Sequence, residues 1–220
     1  MKILIQFPTR ERTEKFFSVL QQYYAKADNV SDCLFHIVID ADDLSMNSAT
    51  VLAKLAGMRN CIYTISNTPG KIKAINTMPA DRSWDIVLLL SDDMIVQAKG
   101  WDTHIRTKMK QYFPSTDGVL WYNDGFVGDR LNTLVCMGKR YYERFNYIYH
   151  PSYISLWSDN EFTEVAKALK KQVYIAECII RHEHIVNMGR ARDKLCDRNE
   201  SYYTIDQRNY DKRKANGFRS

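Results

Sequence analysis

The chain has 220 residues, 45% of them hydrophobic and 26% charged, with a formal net charge of +5. That composition suits one globular domain with a sizeable core and excludes a disordered or low-complexity chain. No window reaches the ~20 apolar residues of a membrane span, and the opening "MKILIQF" is too short an apolar run for a signal peptide.

Apolar runs alternate with helical patterns in the first half. "KILIQF" reads as a strand, and "ERTEKFFSVLQQYYAKA" places Phe16, Phe17, Leu20, Tyr23, Tyr24 and Ala27 at helical spacing. "CLFHIVID" is the next strand, followed by a helix over about 47–57. "CIYTI" is a third strand, and a turn at Pro69-Gly70 leads into a helical "KIKAINTM". "DIVLLL" is the fourth strand, and a helix is predicted over 101–112. This order predicts an α/β fold with a mostly parallel central sheet covered by helices on both faces. The second half is rich in Tyr, Trp, Asn and Gly, with weak periodicity until the short helix "EFTEVAKALKK" and one or two strands in "QVYIAECIIRHEH". The expected organisation is one domain over 1–190, its nucleotide-binding half at about 1–100 and its acceptor half at about 101–190. A basic extension over 191–220 follows.

Two global features bear on setting and partners. The five cysteines, at 33, 61, 136, 178 and 196, are odd in number and form no C-x-x-C pair. This argues against a disulfide framework or a zinc knuckle and for a reducing, cytoplasmic setting (the host's, for a viral chain). From Arg181 to Ser220 ten Lys/Arg face six Asp/Glu, a net +4, whereas the first 180 residues carry only +1. A basic tail suits an anionic partner such as phosphate, nucleic acid or a membrane surface; the plain alternative is an ordinary solvated segment.

In an open parallel sheet, ligands bind beyond the carboxyl ends of the strands. Here those ends carry Pro8, Thr9 and Arg10, with Arg12 close by; then Asp40, Asp42 and Asp43; then Ser66, Asn67 and Thr68; then Ser91, Asp92 and Asp93. Four polar ends on one edge suit a nucleotide-type ligand. Adjacent Asp92 and Asp93 repel each other, and desolvating them is costly without a positive partner. A turn or helix N-cap is the plain reading of such a pair. Lys71 and Lys73 can face phosphates, and His182 and His184 share one face at strand spacing. An imidazole, carboxylates, a diphosphate and water would fill an octahedral Mn²⁺ or Mg²⁺ shell. His36 reads as a core or sheet-face residue, His104 as helix surface, and His150 as unmarked. Trp121, Tyr122, Asn123 and Asp124 suit stacking on a sugar, and equally a core.

The motifs "ILIQFPTRER", "IVIDADD", "SDDMIVQAKGWD", "WSDNEF" and "RHEH", in that order, resemble nucleotide-sugar glycosyltransferases of the GT-A fold, especially small family-two-like members. The resemblance covers roughly residues 2–190. It implies that Pro8, Thr9, Arg10 and Asp40 hold the donor, Asp42 being a second candidate for the base. Lys73 would approach the ribose or phosphates, and Asp92 the ribose or the metal's water shell. Asp93 would bind Mn²⁺ or Mg²⁺ directly, completed by His184 and, less firmly assigned, His182. Asp159 would be the general base of an inverting transfer from a nucleoside-diphosphate sugar, UDP-linked in the first instance. An N-cap is the alternative role for Ser158 or Asp159. Position 91 is Ser, so there is no literal D-x-D.

The expected acceptor is a glycan or lipid-linked hydroxyl. The second candidate is hydroxymethylated DNA, as in small phage enzymes, gripped by Arg190, Arg192, "DKRKANGF" and the aromatics around Tyr141-Tyr142. A sugar-phosphate nucleotidyltransferase is the alternative activity. It expects a Gly-rich phosphate loop after the first strand, and "FPTRER" has no glycine.

Overall fold

The structure, a computed structural model, describes residues 1–68, 70–184, 188–189, 191 and 193–219. The expected turn at Pro69 and the phosphate contacts expected of Arg190 and Arg192 lie outside the described residues. In chain order the first half comprises β1 (Ile3–Thr9), α1 (Thr13–Lys26), β2 (Cys33–Asp40), α2 (Ala49–Ala56), β3 (Cys61–Ser66), α3 (Lys71–Asn76), β4 (Ile86–Leu89), β5 (Met94–Val96) and α4 (Trp101–Tyr112). The second half comprises β6 (Val119–Tyr122), β7 (Cys136–Gly138), α5 (Lys139–Tyr142), α6 (Ser158–Ala168), β8 (Gln172–Ile175), β9 (Ile180–His182), α7 (Lys194–Glu200) and α8 (Tyr203–Ala215).

The central sheet has seven strands in the order β3-β2-β1-β4-β7-β6-β8. Only β7 is reversed: it is antiparallel to β4 and β6, while β1–β4 run parallel and β6 is parallel to β8. The mostly parallel α/β sheet expected from the apolar runs is therefore present. β5 and β9 pair as a separate antiparallel ribbon. The strands that periodicity did not single out, β5, β6 and β7, are three or four residues long. That is too short for an alternation to register.

Alternate residues of the buried strands feed two cores. Ile3, Ile5 and Phe7 of β1 join Ile86 and Leu88 of β4 beneath α1, α2 and α4. Leu4, Val87 and Leu89 join α3, α5, α6 and Tyr210 of α8 on the other face. This corrects one expectation and decides between the two roles open to Trp121 and Tyr122. Tyr141 and Tyr142 are buried in the second core and cannot grip a displaced base. Trp121 and Tyr122 are buried because β6 lies inside the sheet, so neither is available to stack on a sugar. Asp124 is buried too, its carboxylate accepting from the backbone N–H groups of Phe126, Val127 and Gly128 and from Thr133 Oγ1.

The "GWD" stretch at 100–102 docks α4 against the end of α1. Gly100 has φ 72°, its N–H donates to Lys26 O at 2.7 Å, and an added Cβ would lie 2.5 Å from the Asp28 carboxylate. Trp101 Nε1 donates to Tyr23 O at 3.0 Å. Buried Asp102 accepts from Asp28 N, Asn29 N and Arg106.

A buried polar chain crosses the sheet from β3 to α3. Gln6 Nε2 donates to the carbonyls of Ala74, Ile75 and Thr77, closing the last turn of α3. Gln6 Oε1 can only accept, so His36 Nδ1, 2.8 Å away, carries the proton. His36 Nε2 then accepts from Thr64 Oγ1 at 2.8 Å. Burial pushes the His36 pKa down to about 4 from its usual 6.5. Between those values the unfolded chain takes up a proton that the folded chain refuses. The resulting stability is whole above pH ~6.5 and is lost as pH falls towards ~4, by an amount on the order of 3 kcal/mol. Denaturant unfolding from pH 7 to pH 4 should therefore show a steeper loss for the native chain than for His36→Gln; parallel profiles would refute the assignment.

Candidate active site

The cavity arises where β1 outruns β4. Their pairing ends at Gln6↔Leu89, with Leu90 N donating to Gln6 O. Position 8 faces the same side as position 6 but beyond the end of that neighbour, so Pro8 costs the sheet no hydrogen bond. The opened space has a volume of about 810 Å³. Its walls are the ends of β1, β2 and β4, the start of α3, the stretch 154–159, residues 182–184 and α7.

At one end, Asp40 is buried, with Oδ2 accepting from Arg10 Nη1 at 2.9 Å. Asp40 Oδ1, Arg10 Nε and Thr9 Oγ1 are buried without a hydrogen-bond partner, Arg10 Nε lying 3.8 Å from Glu11 Oε1. Asp42 is exposed outside the lining and holds Arg10 from behind through two bonds of 2.6 and 3.0 Å. Hydrogen bonding to Asp42 raises the Arg10 pKa further, against the effect of burial. The turn that follows is strained: Glu11 and Arg12 have φ of 61° and 31°. Buried Asp43 holds it, one oxygen accepting from Glu11 N at 2.7 Å and the other from Ser45 N and Oγ.

In the centre, the two neighbouring carboxylates have separate partners. Asp92 Oδ1 accepts from Arg12 Nη1 at 3.1 Å and Lys15 Nζ at 3.4 Å. Burial pushes the Asp92 pKa up, and these cations offset only part of that rise. Burial would raise Asp93 as well, but contact with His182 and a hydrogen bond from Ser91 Oγ overcome it and hold Asp93 below the usual range. His182 Nε2 lies 3.5 Å from Asp93 Oδ1 because β9 pairs Met94 with His182. The His184 ring is 5.8 Å from that of His182, and burial lowers its pKa. Among the described residues, no group of three or more His, Cys, Asp or Glu side chains is placed to hold a metal ion.

On the far wall, α6 opens at Trp157, which has φ 63° and forms no side-chain cap. The Asp159 carboxylate is thus not the helix cap; it lines the cavity, where burial raises its pKa against the pull of Lys71. Asp206 of α8, fully buried, accepts from the backbone N–H groups of Ile154, Ser155 and Leu156 at 2.9, 2.7 and 2.8 Å.

Of the residues singled out from the sequence, Pro8, Thr9, Arg10, Asp40, Asp92 and Asp93 meet in this cavity, joined by Asp159, His182 and His184. Lys73 does not. Residues two apart on a helix face nearly opposite ways; Lys71 lines the cavity and Lys73 points to solvent. Lys15, Asp193 and Asp206 were missed. Asp193 caps α7 through Cys196 N and takes two bonds of 2.8 Å from Arg12, so that Arg12 links α7 to Asp92. The N-cap spacing before "KLC" was the available signal for Asp193; Asp206 left none.

No protein-family model matches the chain, and no curated protein matches it in sequence. Solved structures do. The mannosyltransferase PcManGT from Pyrobaculum calidifontis, in complex with GDP-Man and Mn²⁺, superposes with a TM-score of 0.63 at 12% identity, covering 83% of this chain and 56% of that one. S. aureus TarS 1–349 in complex with UDP-GlcNAc gives 0.62 at 15% identity, with 88% and 62% covered. TarS 1–349 with UDP gives 0.60 at 16%, with 82% and 60% covered. The fold is the GT-A fold of nucleotide-sugar glycosyltransferases, as the motifs implied. The chain spans less than two thirds of the length of each of these chains.

Replacing Arg12 with Met leaves Asp92 buried with Lys15 alone and releases Asp193. The expected loss at pH 7 is roughly 1–3 kcal/mol. It should shrink in acid, because an Asp92 deprived of its cation takes a proton there. Urea unfolding at pH 7 and pH 4.5 checks this; an equal loss at both would refute it.

Proposed function

We propose that this chain transfers a sugar from a nucleoside-diphosphate sugar to an acceptor hydroxyl. The observation that carries the reading is one of placement. In a GT-A fold, the carboxylates that follow β4 and the one that opens α6 face a single cavity with the ends of β1 and β2. Pro8, Thr9 and Asp40 would hold the base, with Thr9 Oγ1, Arg10 Nε and Asp40 Oδ1, none of them hydrogen-bonded, as the polar atoms a base edge could engage after a small side-chain adjustment. An unpaired buried oxygen on Asp40 favours a base with a ring N–H, which includes uracil. Asp92 would meet the ribose, and Lys71 takes the phosphate role first expected of Lys73.

Asp93, with His182 and His184, supplies carboxylate and imidazole donors suited to Mn²⁺ or Mg²⁺. The donor set fits a cation shared with a diphosphate rather than one caged by the chain alone. Such a cation, when bound, would neutralise charge on the departing diphosphate. The neighbouring mannosyltransferase structure contains Mn²⁺. Ser91 Oγ donates to Asp93 Oδ1 and would hold that carboxylate in place for a cation.

Asp159 would take the proton from the acceptor hydroxyl, a contribution of roughly 10²- to 10⁴-fold, with inversion at the anomeric carbon. Burial raises its pKa, the direction that strengthens a carboxylate as a base. The acceptor-side wall includes Val127, Tyr149, Ile154, Leu156 and Tyr202. Two of the tail's cations are committed elsewhere, Arg213 to Glu161 and Lys214 to Glu164. Together these favour a saccharide or lipid-linked hydroxyl over a modified DNA base.

A thermal-shift panel of nucleoside diphosphates and their sugars, with and without Mn²⁺, tests the donor. A true donor should raise the melting temperature, and more so with metal; no shift with any of them would sink the reading. With the donor identified, Asp159→Asn should lose at least about 10²-fold in kcat while donor binding stays within twofold. An Asp93→Ala variant should lose the metal-dependent part of the shift. Activity that barely changes between 50 and 300 mM salt is expected of a glycan or lipid-linked acceptor, and a steep fall would point to DNA.

A further inference from the structure

Trp157 is a bulky residue held at φ 63°, one position before α6 begins. Such backbone persists only where its surroundings over-determine it, and it clusters at functional sites. Here the surroundings come from α8. Asp206 accepts three consecutive backbone N–H groups at 154–156, and the Trp157 ring packs against Tyr203 and Tyr210 with centroids 5.5 and 5.2 Å apart. The bend so held delivers Asp159 to the cavity two residues later. A second set of ties between α8 and α6 lies farther from the bend, where Glu164 meets Tyr210 Oη and Lys214 Nζ.

We propose that α8 is a positioning element for the reaction: its Asp206 carboxylate and Tyr203 and Tyr210 rings hold the strained bend at 154–157 that turns Asp159 towards the acceptor hydroxyl. The three N–H groups at 154–156 would otherwise be partly buried donors without acceptors, and the bend could relax to ordinary backbone. A displacement of about 1 Å in a reacting group can cost on the order of 10²-fold in rate. The proposal rests on the transfer reading above.

The test compares the full-length chain with Asp206→Asn, Tyr203→Ala and Glu164→Gln, using the nucleotide sugar selected by the thermal-shift panel. D206N should lose between about tenfold and a hundredfold in kcat with donor KM within twofold. Amide hydrogen exchange at 154–156 should speed up by roughly tenfold or more in the same variant, a change that requires no activity to read. Tyr203 is 45% exposed, so Y203A should fold even if D206N does not, and it should lose roughly fivefold in kcat. E164Q, whose amide oxygen can still accept from Tyr210 Oη but which gives up the Lys214 ion pair, should melt lower and keep the native kcat. Unchanged kcat in both D206N and Y203A, or an equal loss in E164Q, overturns the proposal while native transfer stands. A native chain that transfers no sugar overturns the transfer reading and this one together.

Discussion

Two adjacent carboxylates, one buried and one partly buried, set the terms for the rest of this molecule. Asp92 and Asp93 repel each other, and the fold gives each its own hydrogen-bonding neighbours. The strained turn after β1 and the first turn of α1 send Arg12 and Lys15 to Asp92. The β5–β9 ribbon sends His182 to Asp93, with Ser91 on its near side. The repulsion is relieved by side chains on two sides, and the carboxylates are left unlike. One is raised by burial; the other is held low by its hydrogen bonds. An electrostatic conflict in the sequence has become a division of chemical character between neighbours.

Each solution draws on a distant part of the chain. Arg12 is shared with Asp193, some 180 positions away, which ties the turn after β1 to α7. The position of α3, and with it Lys71, depends on Gln6 of β1, whose own oxygen is committed to His36 of β2. Cavity geometry and core packing are therefore coupled: the polar chain that closes α3 also makes this part of the core sensitive to acid.

Much of this could be read before any coordinates. The four parallel strands, β1, β2 and β4 buried and β3 at the exposed edge, announced themselves as apolar runs ending in polar residues. The sheet edge that collects Thr9, Asp40 and Asp92 followed from their order. Periods and strand ends are local properties and survive in the sequence. Lys71 and Lys73 could not be separated that way, because the choice depends on which face α3 turns to β1. Tyr141 and Tyr142 were read as available surface, and Trp121 and Tyr122 as equally surface or core, because β6 and α5 are too short to reveal which way their residues face. Arg12 meeting Asp193, and Asp206 meeting the amides at 154–156, are consequences of packing with no local mark. A basic tail looked like a ligand-binding surface when part of its charge serves α6.

The bend at Trp157 has a consequence for the order in which the molecule is assembled. The sheet is complete once β8 is in place, but the brace for the bend lies on α8, beginning some thirty residues farther along. A growing chain, emerging from its amino end, can form seven strands and both cores' central layers before Asp206 exists to draw in the amides of 154–156. The wall that carries Asp159 would then be among the last surfaces to settle. In a chain still under synthesis the strand ends of the cavity would be in place well before its opposite wall had taken shape.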